Sequence, residues 1–327
     1  MKPVRTGVWG VGVWGEKHAR VYGGVAESAF VGVYDANPDR AKAVAAQYGG
    51  RAFESAAALL AECEAVSVAT PTVAHREAAE QALAAGCHVL VEKPMAVTVA
   101  ECDAMIAAAK KANRVLQVGQ VERFNPVLLA AKPFVKNPKF IEGHRLAPFQ
   151  PRSLDIDVVG DLMIHDIDAV LHLTGRTPSQ ISAVGVAVLS SNEDIANARL
   201  EFDDGCVANL TASRVSVERL RRLRFFQGDA YVSVDLFDKT GEAFVIKDPG
   251  SFKPGVVDPL ALLAGIDRTK LEVPAGEPLT FELQAFLRSL RGDGEGAASA
   301  QAGRDALHVA EEVREAMRRR ALQWSAR

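Results

Sequence analysis

The stretch Gly160-Asp161-Leu162-Met163-Ile164-His165-Asp166-Ile167-Asp168 sets ionisable side chains into a run otherwise apolar enough for a buried helix. On an α-helix, positions i, i+4 and i+7 share a face, so Asp161, His165 and Asp168 project together and His172 extends the stripe. Burying such a stripe is costly unless its members find partners. Three chemistries compete for it: a structural polar network, a zinc-type metal site and an acid/base face.

A second constellation lies at the other end of the chain. Gly10-Val11-Gly12-Val13-Trp14-Gly15 follows a strand-like run and opens a helical pattern, and Asp35 ends the next strand twenty residues after Gly15. In that context GxGxxG is the dinucleotide fingerprint. Gly10 permits the tight turn, Gly12 lets the backbone approach a pyrophosphate, and Gly15 allows close helix–strand packing. The helix N-terminus offers amide donors to the phosphates. Asp35 is placed to accept from the adenosine ribose and repels a 2′-phosphate, which favours NAD over NADP; Arg40, five residues on, softens that repulsion. Lys93 follows another strand, at the end where ligands of parallel sheets bind, and Pro94 stiffens the backbone after it.

The elements that must position these residues follow from periodicity. Up to about residue 120, apolar strands alternate with Ala-rich helical patterns, which predicts a parallel sheet covered on both faces. Asn37-Pro38 starts one of these helices and Gly49-Gly50 ends it. After Phe124-Asn125-Pro126 the texture changes. A helix over 158–174 precedes alternating strands joined by turns, which predicts an antiparallel meander; 248–277 reads as irregular. Two helical patterns close the chain, with GDGEGAASAQ between them reading as a surface loop. The expected division is a domain over 1–122 and an α+β domain over 123–327.

Bulk properties set limits. A length of 327 residues favours two domains. Lys and Arg number 38 against 41 Asp and Glu, a net charge of −3 that gives no electrostatic reason to expect nucleic acid or an anionic membrane as partner. No apolar run reaches membrane-spanning length, and the opening MKPVRTGVWG reads as a strand rather than a signal segment. Cys63, Cys87, Cys102 and Cys206 show no CxxC pairing and read as buried thiols of a cytoplasmic protein.

With the glycine loop, Ala69-Thr70-Pro71, Glu92-Lys93-Pro94 and Asp161-x-x-x-His165, essentially the whole chain resembles the glucose–fructose oxidoreductase/inositol dehydrogenase/rhizopine catabolism (Gfo/Idh/MocA) family. The resemblance implies an α/β fold: an N-terminal Rossmann domain, then an α+β domain with an open, mostly antiparallel sheet that often mediates oligomerisation, here a homodimer or homotetramer. It implies NAD(P)-linked oxidation or reduction at a sugar or cyclitol hydroxyl, with no metal. His165 is then the base, Lys93 orients the hydroxyl and stabilises the alkoxide, and Asp161 binds a neighbouring hydroxyl and steadies the imidazole. The cofactor set becomes Gly10, Gly12, Val13, Trp14, Gly15, Asp35, Arg40, Thr70, Pro71, His75, Glu92, Lys93 and Gln120. Thr72 and Gln120 depart from residues common in relatives. His18 reads as packing and capping.

EGHRLAPFQPRSLDIDVVGDLMIHDID and DIANARLEFDDGCVANLTASRVS resemble, more narrowly, the branch that oxidises the 3-hydroxyl of UDP-N-acetylglucosamine on the way to amino-substituted lipid A precursors. A UDP-sugar brings a diphosphate, and Arg145, Arg152 and Arg214 are the expected partners for it. With Arg123 they join Lys93, Asp161 and His165 as the substrate set, while the run Arg219–Arg224 reads as one polar strand face. Alternatives are a dehydrogenase of a free sugar, an inositol or another nucleotide sugar, and a non-catalytic NAD(P)-binding sensor.

Overall fold

A computed structural model describes residues 2–150, 156–247, 265–294 and 296–325. Expectations that fall on 151–155 and 248–264, Arg152 among them, lie outside the described residues.

The chain forms two compact units, Met1–Phe124 with Gly276–Leu307, and Asn125–Ala275 with His308–Arg327. The first unit is built from β1 (Val4–Trp9), α1 (Val13–Tyr22), β2 (Ser28–Tyr34), α2 (Pro38–Tyr48), β3 (Arg51–Ala52), α3 (Ala56–Leu60), β4 (Ala65–Val68), α4 (His75–Ala84), β5 (His88–Glu92), α5 (Val99–Ala112) and β6 (Leu116–Gly119). Their strands run parallel in the order β3-β2-β1-β4-β5-β6, so the direction of winding reverses between β1 and β4. In such sheets ligands bind outside the carboxyl ends of the strands at that reversal. The glycine loop after β1 and Ala69-Thr70 after β4 both lie there. Asn37-Pro38 starts α2 as read, with Asn37 accepting from the amides of Asp39 and Arg40; the structure adds a capping box of Thr98 with Glu101 on α5.

The second unit contains α6 (Pro126–Ala131), β7 (Phe140–Leu146), a π-turn (Val159–Met163), α7 (Ile164–Thr174), β8 (Gln180–Val186), β9 (Ile195–Glu201), β10 (Val207–Ser213), β11 (Leu220–Phe226), β12 (Ala230–Asp235), β13 (Thr240–Ile246) and β14 (Ile266–Lys270). Eight strands lie in the order β14-β13-β12-β11-β7-β10-β9-β8. All pairings are antiparallel except β7 with β10. The open, mostly antiparallel sheet is therefore present, but the expected simple meander is corrected: β7 inserts between β10 and β11. Its inward positions are Ile141, Gly143 and Arg145, so hydrophobic alternation hides it. Gly143 leaves the room that Leu210 and Leu223 fill.

The expected boundary also needs correction. α8 (Pro278–Ser289) buries Leu279, Leu283, Phe286 and Leu287 among Val8, Ala19, Tyr22 and Leu90 of the first unit. Ala298-Ser299 form β15, antiparallel to β6, in place of the end of the expected surface loop. α9 (Ala300–Ser325) packs Ala300 and Leu307 into the first unit's core, and its later turns belong to the second. The first domain is thus completed by residues 276–307 rather than ending at 122. Within the second unit Arg314 of α9 pairs with Asp157 at 2.6 Å, and Asp157 accepts from the amide of Gly160 at 2.8 Å, tethering the π-turn. Burial pushes the Asp157 carboxyl up, but Arg314 and the turn amides outweigh it and hold it low. Among the described residues no helix is long and apolar enough to cross a membrane.

Candidate functional site

The nucleotide end is shaped by the backbone. Gly10 has φ +87°, and a side chain there would meet the backbone of Ala69 and Thr70 at 2.7–2.8 Å. A Cβ on Gly15 would run into the Gly10 carbonyl oxygen, so α1 can begin against the loop only with glycine there. Gly12 differs: apart from its chain neighbours, nothing among the described residues lies within 4 Å of where its Cβ would be. Gly12 is also the N-cap of α1 and supplies no side-chain cap. An uncapped helix start facing open space is the cradle a pyrophosphate fills. Beside it Val13 and Trp14 stay 69% and 39% exposed, which is unusual for apolar residues opening a packed helix and suits contact with a ligand.

Asp35 supports this loop directly. Its carboxylate accepts from Val11 N at 2.7 Å and Asn37 N at 2.8 Å. A carboxylate has about four acceptor positions, so capacity remains for ribose hydroxyls. Arg40 gives its Nε–H to Val11 O at 2.9 Å and pairs with Glu16, whose carboxyl the guanidinium holds low. Its charge is thus engaged, and the softening effect expected of it on a 2′-phosphate is reduced.

Behind Lys93 lies a polar chain that the sequence did not disclose. Tyr22 OH is 2.8 Å from Ser67 Oγ, which is 2.9 Å from His18 Nδ1; His18 Nε2 is 2.8 Å from Glu92 Oε1, and Lys93 N donates to Glu92 Oε2 at 3.1 Å. One direction satisfies every donor: Tyr22 to Ser67, Ser67 to Nδ1, and Nε2–H to Glu92. Burial pushes the Tyr22 phenol far up, which keeps it a donor. Glu92 was expected to touch the cofactor; its carboxylate instead anchors the Lys93 backbone from beneath, and Gly119 of the neighbouring strand leaves it room. His18, read as packing and capping, is a member of this chain. The available signal was Ser67, the one polar residue in the fully buried strand Ala65–Val68.

His75, also 1% exposed, faces two carbonyl oxygens, Pro94 O at 2.9 Å from Nδ1 and Thr70 O at 2.8 Å from Nε2. It stands between the loop after β4 and the loop that holds Lys93; burial draws its pKa down, and the neutral ring has one N–H to give to one of the two carbonyls. Thr70 Oγ1 is buried and makes no hydrogen bond with the described residues, an unmet polar group on the ligand end of the sheet. Pro71 precedes the turn Thr72–Ala74; Gln120 is 2% exposed, and its carbonyl accepts from Arg123 N at 3.0 Å. Arg123 is half-buried in the turn Val121–Phe124.

In the second unit Asp161 sits in the π-turn and His165 in the first turn of α7, both half-buried. π-turns interrupt regular helices, frequently at functional positions. Asp166 and Asp168 are buried at 3% and 1% exposure. Of the stripe itself, Asp161, His165 and His172 are half-buried and Asp168 alone is buried. Among the described residues no three His, Cys, Asp or Glu side chains gather as a metal-holding group.

The expected diphosphate role of Arg145 and Arg214 is not what their guanidinium groups are arranged for. Arg145 is 2% exposed and grips Asp166 with Nε and Nη2 at 2.7–3.1 Å. Arg214, 5% exposed, donates to Asp194, to Ile156 O and to Ser190 Oγ at 2.7–2.9 Å. Asp194 also accepts from the amides of Val188, Leu189 and Ser190, and these donors with Arg214 overcome burial to hold its carboxyl far below the usual range. Buried cations need such partners, and both pairs are structural.

Residues 4–120 match the model of an oxidoreductase family with an NAD-binding Rossmann fold, and residues 143–229 match the GFO/IDH/MocA C-terminal domain. The chain is 40% identical, over 96% of its length and 97% of that protein, to UDP-N-acetylglucosamine 3-dehydrogenase of Acidithiobacillus ferrooxidans. A solved structure of that enzyme superposes with a TM-score of 0.87 over 97% of this chain and 98% of that one. Inositol 2-dehydrogenase of Acidothermus cellulolyticus is 32% identical over 56% of this chain and 57% of that protein.

Proposed function

This chain belongs to the Gfo/Idh/MocA family of NAD-binding oxidoreductases, and from that premise we propose that it oxidises the 3-hydroxyl of UDP-N-acetylglucosamine. The observation that carries the substrate is sequence likeness to a UDP-N-acetylglucosamine 3-dehydrogenase across nearly the whole of both units, whereas sequence likeness to the inositol enzyme covers little more than half the chain.

NAD, when bound, supplies the hydride acceptor. The open cradle at Gly12, the uncapped start of α1, Asp35 and the unmet Thr70 hydroxyl fit it. In this reading the chain's own residues do the rest. His165 takes the hydroxyl proton on an imidazole nitrogen as the carbon gives up its hydride, leaving a ketone. The Lys93 ammonium orients the hydroxyl and stabilises the oxygen as it becomes negative. Asp161 accepts from a neighbouring hydroxyl. The His18–Glu92 pair holds the Lys93 backbone in place.

The 3-keto product suits a following amination, the step that amino-substituted lipid A precursors require, and the reading includes a cytoplasmic setting. It also includes a homo-oligomer formed on the outer sheet face, where Phe140, Phe226, Tyr231 and Phe244 make a half-exposed ladder with ring centroids 4.9–5.8 Å apart. The test is incubation with NAD and a panel of UDP-N-acetylglucosamine, other nucleotide sugars, free N-acetylglucosamine and inositol, followed by NADH absorbance. Fastest turnover of UDP-N-acetylglucosamine is expected; a faster free sugar or inositol would overturn the reading.

A further inference from the structure

The turn that presents Asp161 departs from a regular helix. Between Val159 and Met163 the chain takes a π-turn, and only from Ile164 does it settle into α7. A π-turn closes its hydrogen bonds one residue later than an α-helix does. Were it to relax into α-helix, Asp161 would rotate relative to His165 by about 100°, the angle of one residue at 3.6 per turn. Something must hold the turn open at the point where the chemistry of the proposed function stands.

Asp157 and Arg314 are arranged to do so. The Asp157 carboxylate accepts from Gly160 N at 2.8 Å, and the Asp157 carbonyl accepts from Asp161 N at 3.1 Å. A carboxylate that takes an amide three residues on acts as a cap for the turn. Here the cap is itself gripped. Arg314 of α9 donates its Nε–H to one carboxylate oxygen at 2.6 Å and its Nη2 to the other at 3.1 Å. Two parallel donors fix the plane of the carboxylate as well as neutralising it. The two side chains are only 22% and 16% exposed, so water competes weakly for the pair.

Gly160 supplies a second, independent observation. Its φ lies outside the left-handed region, so its backbone does not require glycine. A Cβ there would run into Nη2 of Arg314. The next atoms, Asp157 Oδ1 at 3.5 Å and Arg314 Cζ at 3.6 Å, stand at ordinary contact distance. The guanidinium therefore occupies the place a side chain at Gly160 would need.

We propose that Asp157 and Arg314 are positioning residues for the reaction of the proposed function, on which this inference rests: their clasp keeps the turn in its π form and so sets Asp161 relative to His165. Neither has to touch the substrate. They act through the backbone of Gly160 and Asp161.

The experiment uses the full-length protein with Arg314→Lys, Arg314→Ala, Gly160→Ala and the double variant Gly160→Ala/Arg314→Ala. Two measurements are made well below each thermal midpoint: steady-state kinetics with NAD and UDP-N-acetylglucosamine, and amide hydrogen exchange across residues 157–165. Arg314→Ala is expected to lower kcat on the order of tenfold to a hundredfold, the scale of a misplaced reacting group, with the KM for NAD unchanged. Arg314→Lys keeps a cation but loses the paired donors, so it should recover part of that kcat. Exchange across 157–165 should rise in step with the loss. Gly160→Ala should resemble Arg314→Ala, yet add less than about twofold in its background, because the group it collides with is gone.

A lowered midpoint with unchanged kcat in Arg314→Ala overturns the proposal and leaves a merely structural pair. Unchanged exchange in both Arg314 variants overturns it too, as do single effects that multiply in the double variant. Should Arg314→Ala fail to fold, Arg314→Lys and Gly160→Ala decide by the same measures. The substrate assignment fails separately. If UDP-N-acetylglucosamine gives no NADH with the unaltered protein, that assignment falls, while exchange across 157–165 still decides whether the clasp holds the turn.

Discussion

The nucleotide end of the first unit and the buried arginine pairs of the second handle charge by opposite means. The first works with backbone: glycines that admit close approach, a helix start without a cap, and a carboxylate that fixes the loop. The second works with side chains, whose roles are set by which carboxylate stands opposite. Backbone devices need particular residues at fixed spacings, so they leave a motif. Side-chain pairing depends on strand register and leaves none.

The largest effect expected is structural and lies in the second unit. Asp194→Asn leaves Arg214 buried beside a neutral amide, and losing one partner of a buried pair costs about 3–5 kcal/mol. The native carboxyl is held below its unfolded value, so its stabilisation is present above about pH 4 and is lost as pH falls toward the folded value. Thermal midpoints of the two proteins should differ most at pH 7 and converge below pH 4. Equal midpoints at pH 7 would mean that Arg214 is not a structural arginine, and the contrast with the backbone end would collapse.

Next in size are the chemistry residues. Lys93→Ala and His165→Ala should each lower turnover by about 10² or more, the scale of acid/base groups, with NAD affinity nearly unchanged in His165→Ala, which lies outside the cofactor set. Single-turnover rates beside NAD titrations separate the two quantities. A His165→Ala protein that turns over normally would return the helix stripe to a purely structural role.

A smaller effect tests the glycine assignments against one another. Gly12→Ala adds a methyl into space the described residues leave open, at a φ of −62°, outside the left-handed region that favours glycine. The thermal midpoint should hold while NAD affinity falls on the order of tenfold, because the methyl stands where phosphate approaches. Gly15→Ala drives a carbon into the Gly10 carbonyl and should lower the midpoint itself. If both variants lose stability equally, Gly12 is a packing glycine and the cradle is misread.

The same contrast governs what the amino-acid sequence discloses. The parallel sheet, the glycine loop, Asp35 and the change of texture at Phe124-Asn125-Pro126 are legible in it because each rests on local spacing or periodicity. β7 is not, since its inward residues are Ile141, Gly143 and Arg145 and carry no hydrophobic alternation. The return of residues 276–307 to the first unit is equally hidden: the apolar stripe of α8 shows that it packs, not against what. Arg145 and Arg214 resemble phosphate ligands because a sequence cannot show that Asp166 and Asp194 face them. The run Arg219–Arg224 is not the one polar strand face its sequence suggests: along β11 Arg222 and Arg224 pair with Asp235 and Glu142 on one side while Leu223 and Phe225 are buried on the other, a split that follows from strand parity alone.

The smallest effect concerns the choice between NAD and NADP, where the backbone end relies on side chains as the second unit does. We expect NAD to bind more tightly than NADP because Asp35 would oppose a 2′-phosphate and Arg40 is engaged by Glu16 and the Val11 carbonyl. Asp35→Ser should narrow the gap severalfold; it removes the repulsion but leaves Arg40 occupied. Adding Glu16→Gln should narrow it further, since the guanidinium then has only a carbonyl acceptor and turns readily to phosphate. Measuring both cofactors for the single and double variants orders these contributions. If Glu16→Gln changes nothing in the Asp35→Ser background, Arg40 belongs to the loop rather than to selectivity. If the unaltered protein already binds NADP as tightly as NAD, the carboxylate argument fails at its root and Arg40 is a phosphate ligand despite Glu16.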